Sequence, residues 1–177
     1  MYYLGLDVGK VRDPAAVCVL ERRSVFVPGP FEPSDENGAT TVSYLVRHLE
    51  RLPLGTPYTA VCERVAEIAD KLEASGCALA DTIVDITGVG RPIFDLLLGS
   101  VASVIGVNFT AGKKPSTADG RIWNVPKRDL VAGLVLLFQS RELRIAEKLP
   151  DAQTLVQELV NFRQTISESG KDSYGNS

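Results

Sequence analysis

The chain has 177 residues, of which 45% are hydrophobic and 23% charged, and this composition fits one globular domain with a sizeable core. A formal net charge of −3 argues against a protein that binds nucleic acid through bulk positive charge. No apolar run approaches the ~18 residues of a membrane span, and no signal peptide is predicted. Cys18, Cys62 and Cys77 are far apart in the sequence and form no Cys-x-x-Cys motif, so we expect reduced thiols in a cytoplasmic protein.

The first third of the chain predicts three strands followed by a loop and a helix. Turn signals separate the predicted strands 2–8, 15–21 and 24–27, and three prolines and two glycines predict a loop over 28–38. Beyond Thr40, apolar residues recur at helical spacing up to Pro53, which predicts a helix. These apolar residues are Val42, Leu45, Val46, Leu49 and Leu52.

The remaining chain predicts helices that alternate with strands. Helices are expected over 57–75, 91–98, 126–140 and 151–162, strands over 82–86, 103–109 and 143–145, and a loop over 111–120. In the third of these helices the apolar side chains are predicted to face inward: Leu130, Val131, Leu134, Leu137 and Phe138. Strands that come first and then alternate with helices predict one α/β domain with a mixed sheet over 1–166, followed by a polar, mobile tail over 167–177.

Two aspartates stand out because each ends an apolar strand and is followed by glycine. Asp7 lies in the segment LGLDVG and Asp85 in IVDITGVG. A carboxylate in a buried strand is costly unless it is paired, hydrogen-bonded or metal-bound, and two such carboxylates at one sheet edge repel each other. A divalent cation removes that repulsion, and oxygen ligands favour Mg²⁺ or Mn²⁺. Each aspartate alone also fits an ordinary strand-end acid that caps a turn.

Such a pair can hold two metal ions ~3.5–4 Å apart for phosphodiester hydrolysis. A local group of basic residues accompanies the acids within sixteen positions: Lys113, Lys114, Arg121, Lys127 and Arg128. This group predicts contacts with the DNA backbone, although an ordinary solvated loop has the same composition. A strand end of the form Gly-x-Asp-x-Gly also opens actin-like nucleotide-binding enzymes, which remain a less favoured alternative.

Five segments occur in the order found in phage and prophage terminase-like proteins, and together they cover nearly the whole chain. The most specific are VDITGVGRP at 84–92 and NVPKRDL at 124–130; the others are LGLDVG at 4–9, LGTPY at 54–58 and ELVNF at 158–162. On these motifs the sequence resembles the nuclease domain of the phage terminase large subunit. The resemblance implies a ribonuclease H-like α/β fold, in which a mixed β-sheet is flanked by α-helices.

The resemblance also implies an endonuclease that cuts double-stranded DNA by two-metal hydrolysis with Mg²⁺ or Mn²⁺. By position, Asp7 and Asp85 would be metal ligands and catalytic residues, and Lys127 and Arg128 would lie near the DNA backbone. The implied partners are double-stranded DNA, a separate packaging ATPase and a portal. The implied location is the cytoplasm of a bacterial host, as for a phage or prophage protein.

One part of the family pattern is missing from the sequence. The family usually supplies its last acids from a segment like His-Asp-Asp-Leu after Asp-Ser-Tyr, whereas here 172–174 (DSY) is followed by GNS. The resemblance therefore implies an incomplete site in these 177 residues. The alternative is a catalytically inactive remnant of the same fold that binds DNA or packaging partners.

Overall fold

The computed structural model describes residues 1–9, 13–27, 39–161, 163–166 and 172–175. In chain order the elements are β1 Tyr2–Asp7, β2 Ala16–Val27, β3 Ala39–Arg51, α1 Tyr58–Ala74, β4 Leu79–Asp85, α2 Arg91–Leu97, β5 Val104–Thr110, β6 Ser116–Thr117, β7 Ile122–Pro126, α3 Lys127–Gln139, β8 Leu143–Ile145, α4 Ala152–Asn161, β9 Arg163–Ile166 and β10 Asp172–Gly175. The α/β class is confirmed. The predicted loop over 28–38 lies outside the described residues.

Eight strands form one mixed sheet in the order β6-β7-β5-β4-β1-β2-β3-β8. The strands β1, β4, β5 and β7 pair in parallel, whereas β2 runs antiparallel to both β1 and β3. The carboxyl ends of the four parallel strands therefore meet at one edge of the sheet, which we call the carboxyl edge. Residues at this edge come from distant parts of the sequence.

The buried core lies on the side of the sheet that α1 and α2 cover. Alternate residues of the central strands point to it, among them Leu4, Leu6 and Val84, and they pack with Val65 of α1 and Phe94 of α2. The opposite side of the sheet carries Asp7 and Asp85, so the two acids do not compete for space in this core.

The strand β3 corrects the helix predicted over 40–52. A β-bulge shifts the register between Val19–His48 and Leu20–Val46, so Val46 and Leu49 lie on the same face of the strand although they are three residues apart. An apolar spacing of three mimics a helix, and pairing with β2 decides the outcome. The prediction of two separate strands within 15–27 is also wrong, because β2 continues through 22–23.

The helix α3 is less buried than its sequence predicts. No residue of α3 is buried: Leu130 is 41% and Phe138 39% exposed, and the other three predicted inward residues are half-buried. The periodicity predicted the helix correctly but not how closely the helix packs on the sheet. No helix in the described residues is long and apolar enough to cross a membrane.

Two short strands follow the last helix and form a separate sheet. The strand β9 pairs antiparallel with β10, with Asp172 opposite Ile166 and Gly175 opposite Arg163. This pairing has no counterpart among the predicted elements, since 172–175 belongs to the predicted polar tail.

Candidate metal centre and nucleic-acid interface

The structure brings Asp7 and Asp85 to neighbouring positions at the carboxyl edge. The parallel register of β1 and β4 pairs Leu6 with Val84, and the two aspartates are the next residues of their strands. Strands in a sheet lie ~4.8 Å apart, so the two main chains are close enough for the carboxylates to share a cation. Sequence reasoning from strand ends therefore predicted this juxtaposition.

Both carboxylates lie on the side of the sheet opposite the core. Leu6 and Val84 are buried against α1 and α2, and successive side chains of a strand point to opposite faces. Asp7 is exposed and Asp85 is half-buried. The register places Val107 beside Asp85 and Trp123 beside Val107, so the pair of acids has apolar neighbours on the β5 and β7 side.

The loop after β4 holds Asp85 closely. The Thr87 main-chain N–H donates to Asp85 Oδ1 at 2.8 Å, and the Phe109 N–H of β5 donates to Thr87 Oγ1 at 2.8 Å. Gly88 has a φ of +81°, a conformation that favours glycine. At Gly90 a Cβ would lie 2.0 Å from the Asp85 carbonyl oxygen, so the second glycine permits the chain to fold back over Asp85.

Asp7 lies beside a cavity of about 250 Å³ on the other side of the site. Its lining includes three further acids, Asp13, Asp151 and Glu158, together with Arg51. Arg51 Nη1 forms an ion pair with Glu158 Oε1 at 3.2 Å, and Asp151 precedes α4 with a φ of 59°. The side of Asp7 that faces α4 is therefore rich in acids.

The donor set at Asp7 and Asp85 fits a hard divalent cation. Within the described residues, Asp85 Oδ2 has no hydrogen-bond partner, and Asp7 is the neighbouring carboxylate. The described ranges contain no group of three or more His, Cys, Asp or Glu side chains arranged to hold a metal ion. Two carboxylates still suit Mg²⁺, which commonly takes one or two of them and completes its shell with water and substrate phosphate.

Three of the predicted DNA-binding residues follow strands that end at the carboxyl edge. Lys113 and Lys114 follow β5, and Lys127 follows β7. Thr110 pairs with Pro126 in the ladder between these strands, so the lysines lie on the β5 and β7 side of Asp85. The strand order therefore places these lysines and the acid-lined cavity on opposite sides of the two aspartates.

The two predicted arginines have other positions. Arg128 Nη2 donates to the Lys113 carbonyl oxygen at 3.0 Å, and its Nε contacts Asp129 at 3.2 Å, so Arg128 ties the 111–115 segment to α3. Arg121 precedes β7 and lies at the end of that strand opposite Lys127. The structure therefore separates Arg121 from the other four residues of the basic group.

The other side chains that could act as nucleophile or base, the cysteines and His48, have structural surroundings. Burial raises the pKa of the Cys18 thiol to about 11, and burial also raises the pKa of Cys62. His48 lies on β3 and its Nε2 is 2.9 Å from Glu50 Oε2, which also binds Arg64. These arrangements are typical of structural groups rather than of catalytic ones.

Sequence reasoning missed the acids that line the cavity beside Asp7. In the sequence, Asp13 is indistinguishable from an ordinary loop acid, and Asp151 is indistinguishable from a residue that caps a helix. A polar residue before α4 was the only available signal, because the position of α4 depends on how α3 and β8 return the chain to the sheet.

Comparison with solved structures shows which fold this arrangement belongs to. A structure of the human cytomegalovirus terminase nuclease domain, Mn soaked, matches with a TM-score of 0.52 and 15% identity over 96% of this chain and 76% of that one. The same domain, Mn soaked and inhibitor bound, matches with a TM-score of 0.50 and 14% identity over 90% and 74%. No family model and no curated protein matches the sequence. The chain therefore has the ribonuclease H-like fold of terminase nuclease domains.

Proposed function

We propose that the chain is a metal-dependent DNA endonuclease domain of the terminase type. The observation that carries the proposal is the adjacency of Asp7 and Asp85 on one face of the carboxyl edge, with one oxygen of Asp85 left without a partner among the described residues. The shared fold with a viral terminase nuclease domain supports the same function.

Asp7 and Asp85 would hold Mg²⁺ or Mn²⁺ between them. Two such ions, when bound, supply activation of a water molecule and stabilisation of the leaving oxygen of a phosphodiester. Asp85 would contribute Oδ2, since Oδ1 accepts the Thr87 N–H. The half-buried position of Asp85 limits the water around it and strengthens its attraction for a cation.

The charge distribution suggests how DNA would approach. Lys113, Lys114 and Lys127 lie on the β5 and β7 side of the acids, whereas Asp13, Asp151 and Glu158 lie on the other side, around the cavity beside Asp7. A phosphate backbone is attracted by the lysines and repelled by the acids. The DNA strand would therefore cross the carboxyl edge over β5 and β7 to reach the metal ligands.

A second candidate is a catalytically inactive DNA-binding module of the same fold. It is favoured by one observation, that the described residues contain no group of three or more His, Cys, Asp or Glu side chains arranged to hold a metal ion. Such a module binds DNA equally with and without divalent cations and does not cleave it.

Nicking of supercoiled plasmid in Mn²⁺ tests the proposal. We expect the wild-type chain to convert supercoiled to open-circular DNA and to stop when the metal is chelated, because both carboxylates act only through the cation. Restored nicking after Mn²⁺ is added back controls for irreversible damage by the chelator. Nicking that continues in excess chelator, or none at any Mn²⁺ concentration, contradicts the nuclease proposal; in the second case the inactive module is the better description.

A further inference from the structure

We infer that Thr87 is a positioning residue for the metal site. Thr87 fixes the Asp85 side chain so that Oδ1 is held by the protein and Oδ2 is left for a divalent cation. The inference rests on the proposed function and gives a role to Thr87, a residue of the VDITGVGRP segment to which the sequence alone assigned none. Thr87 acts twice: its N–H donates to Asp85 Oδ1, and its Oγ1 accepts the N–H of Phe109.

The side-chain hydroxyl of Thr87 replaces a main-chain carbonyl as hydrogen-bond acceptor beyond the end of β4. The last main-chain bond between β4 and β5 runs from the Ile86 N–H to the Val107 carbonyl at 2.9 Å. In a continuing parallel ladder the next N–H of β5, that of Phe109, would bond to the carbonyl of Ile86, the residue that follows β4. It bonds instead to Thr87 Oγ1 at 2.8 Å, so the hydroxyl anchors the start of the loop to β5.

This anchor fixes the direction of the Thr87 N–H. Thr87 is held to β5 by its side chain, and the chain turns sharply at once, through the φ of +81° at Gly88. Its N–H therefore meets Asp85 Oδ1 from a defined position. One carboxylate oxygen is occupied and the rotation of the side chain is restricted, which leaves Oδ2 as the oxygen presented to a cation.

Outer hydrogen bonds that orient metal ligands are typically worth 10–100-fold in metal affinity. The bond to Asp85 comes from the Thr87 main chain and is available in every variant, so the substitutions test the Oγ1 anchor that positions it. Valine in place of Thr87 keeps the shape but removes the acceptor, and Phe109 N–H loses its bond. Serine keeps the hydroxyl. Thr110→Val is a matched control, because Thr110 Oγ1 also accepts a main-chain N–H, that of Gly112 at 3.3 Å, one strand away from Asp85.

The test combines Mn²⁺ calorimetry with amide hydrogen exchange of the metal-free protein. We expect T87V to bind Mn²⁺ about tenfold more weakly and to lose protection at the Phe109 amide, whereas T87S and T110V bind as the wild type does. Asp85→Asn sets the level of binding without this carboxylate. Should T87V not fold, T87A removes the same hydroxyl without adding a branched side chain, and core amides report whether each variant is folded.

The outcomes separate this inference from the function on which it rests. Wild-type Mn²⁺ affinity in T87V, with the Phe109 amide deprotected and Asp85→Asn impaired, overturns the role of Thr87 and leaves the metal site in place. Equal Mn²⁺ binding by the wild type and Asp85→Asn removes the proposed metal site and the role of Thr87 together.

Discussion

Replacing Asp85 with asparagine is expected to lower the rate of Mn²⁺-dependent DNA nicking by about 10²- to 10³-fold. Asparagine keeps the size of the side chain and can still accept the Thr87 N–H, but it removes the negative charge that binds the cation. A metal ion contributes several kcal/mol to stabilising such a reaction, and each 1.36 kcal/mol corresponds to a tenfold rate change. Initial rates on supercoiled plasmid measure the effect.

Asp81 provides a matched control on the same strand and the same face. It lies four residues before Asp85, about 13 Å along the strand, and accepts the Ser103 hydroxyl at 2.7 Å. Asp81→Asn keeps that bond and is expected to nick DNA at the wild-type rate. A similar loss in both variants, or full activity of Asp85→Asn, is incompatible with the assignment of Asp85 as a metal ligand.

Replacing both Lys113 and Lys114 with alanine is expected to lower the affinity for DNA and to make that affinity less dependent on salt concentration. Both side chains are exposed at the carboxyl edge, and each phosphate contact contributes about 0.9 to the slope of log affinity against log salt concentration. The magnitude of that slope should therefore be smaller by about two in the double variant than in the wild type. Fluorescence anisotropy with labelled duplex DNA at several salt concentrations measures it. The Lys113 carbonyl that accepts from Arg128 remains in the variant.

Arg121→Ala is the control for this second prediction, because Arg121 lies at the opposite end of β7 from Lys127. It should leave the slope unchanged. A slope that falls equally in Arg121→Ala, or that does not change in the double lysine variant, shows that DNA does not cross the carboxyl edge on the β5 and β7 side.

The adjacency of Asp7 and Asp85 was predictable because its signal is local. An acid at the end of an apolar strand, followed by glycine, marks the point where a strand leaves the sheet, and parallel strands bring such points to one edge. The relation of Asp7 to Asp85 therefore needed only the correct strand ends and a parallel pairing, which the α/β alternation predicts. Thr87 was not predictable, since its role depends on the position of Phe109 in the neighbouring strand.

Features that depend on tertiary structure were not predicted correctly. The bulge in β3 gives Val46 and Leu49 a helical spacing, and only the pairing with β2 shows the strand. The β6–β7 hairpin separates Arg121 from Lys113, although only seven residues separate them in the sequence. The acids beside Asp7 meet because α4 packs near β3, a placement that no short motif in the sequence encodes.

Anomalous diffraction from Mn²⁺-soaked crystals tests most directly the claim that Asp7 and Asp85 form one metal site. We predict a manganese peak within bonding distance of both carboxylates, with Asp85 bound through Oδ2, and no such peak in crystals of Asp7→Asn. Manganese bound only in the cavity with Asp13, Asp151 and Glu158, or no manganese near either aspartate, would contradict the site.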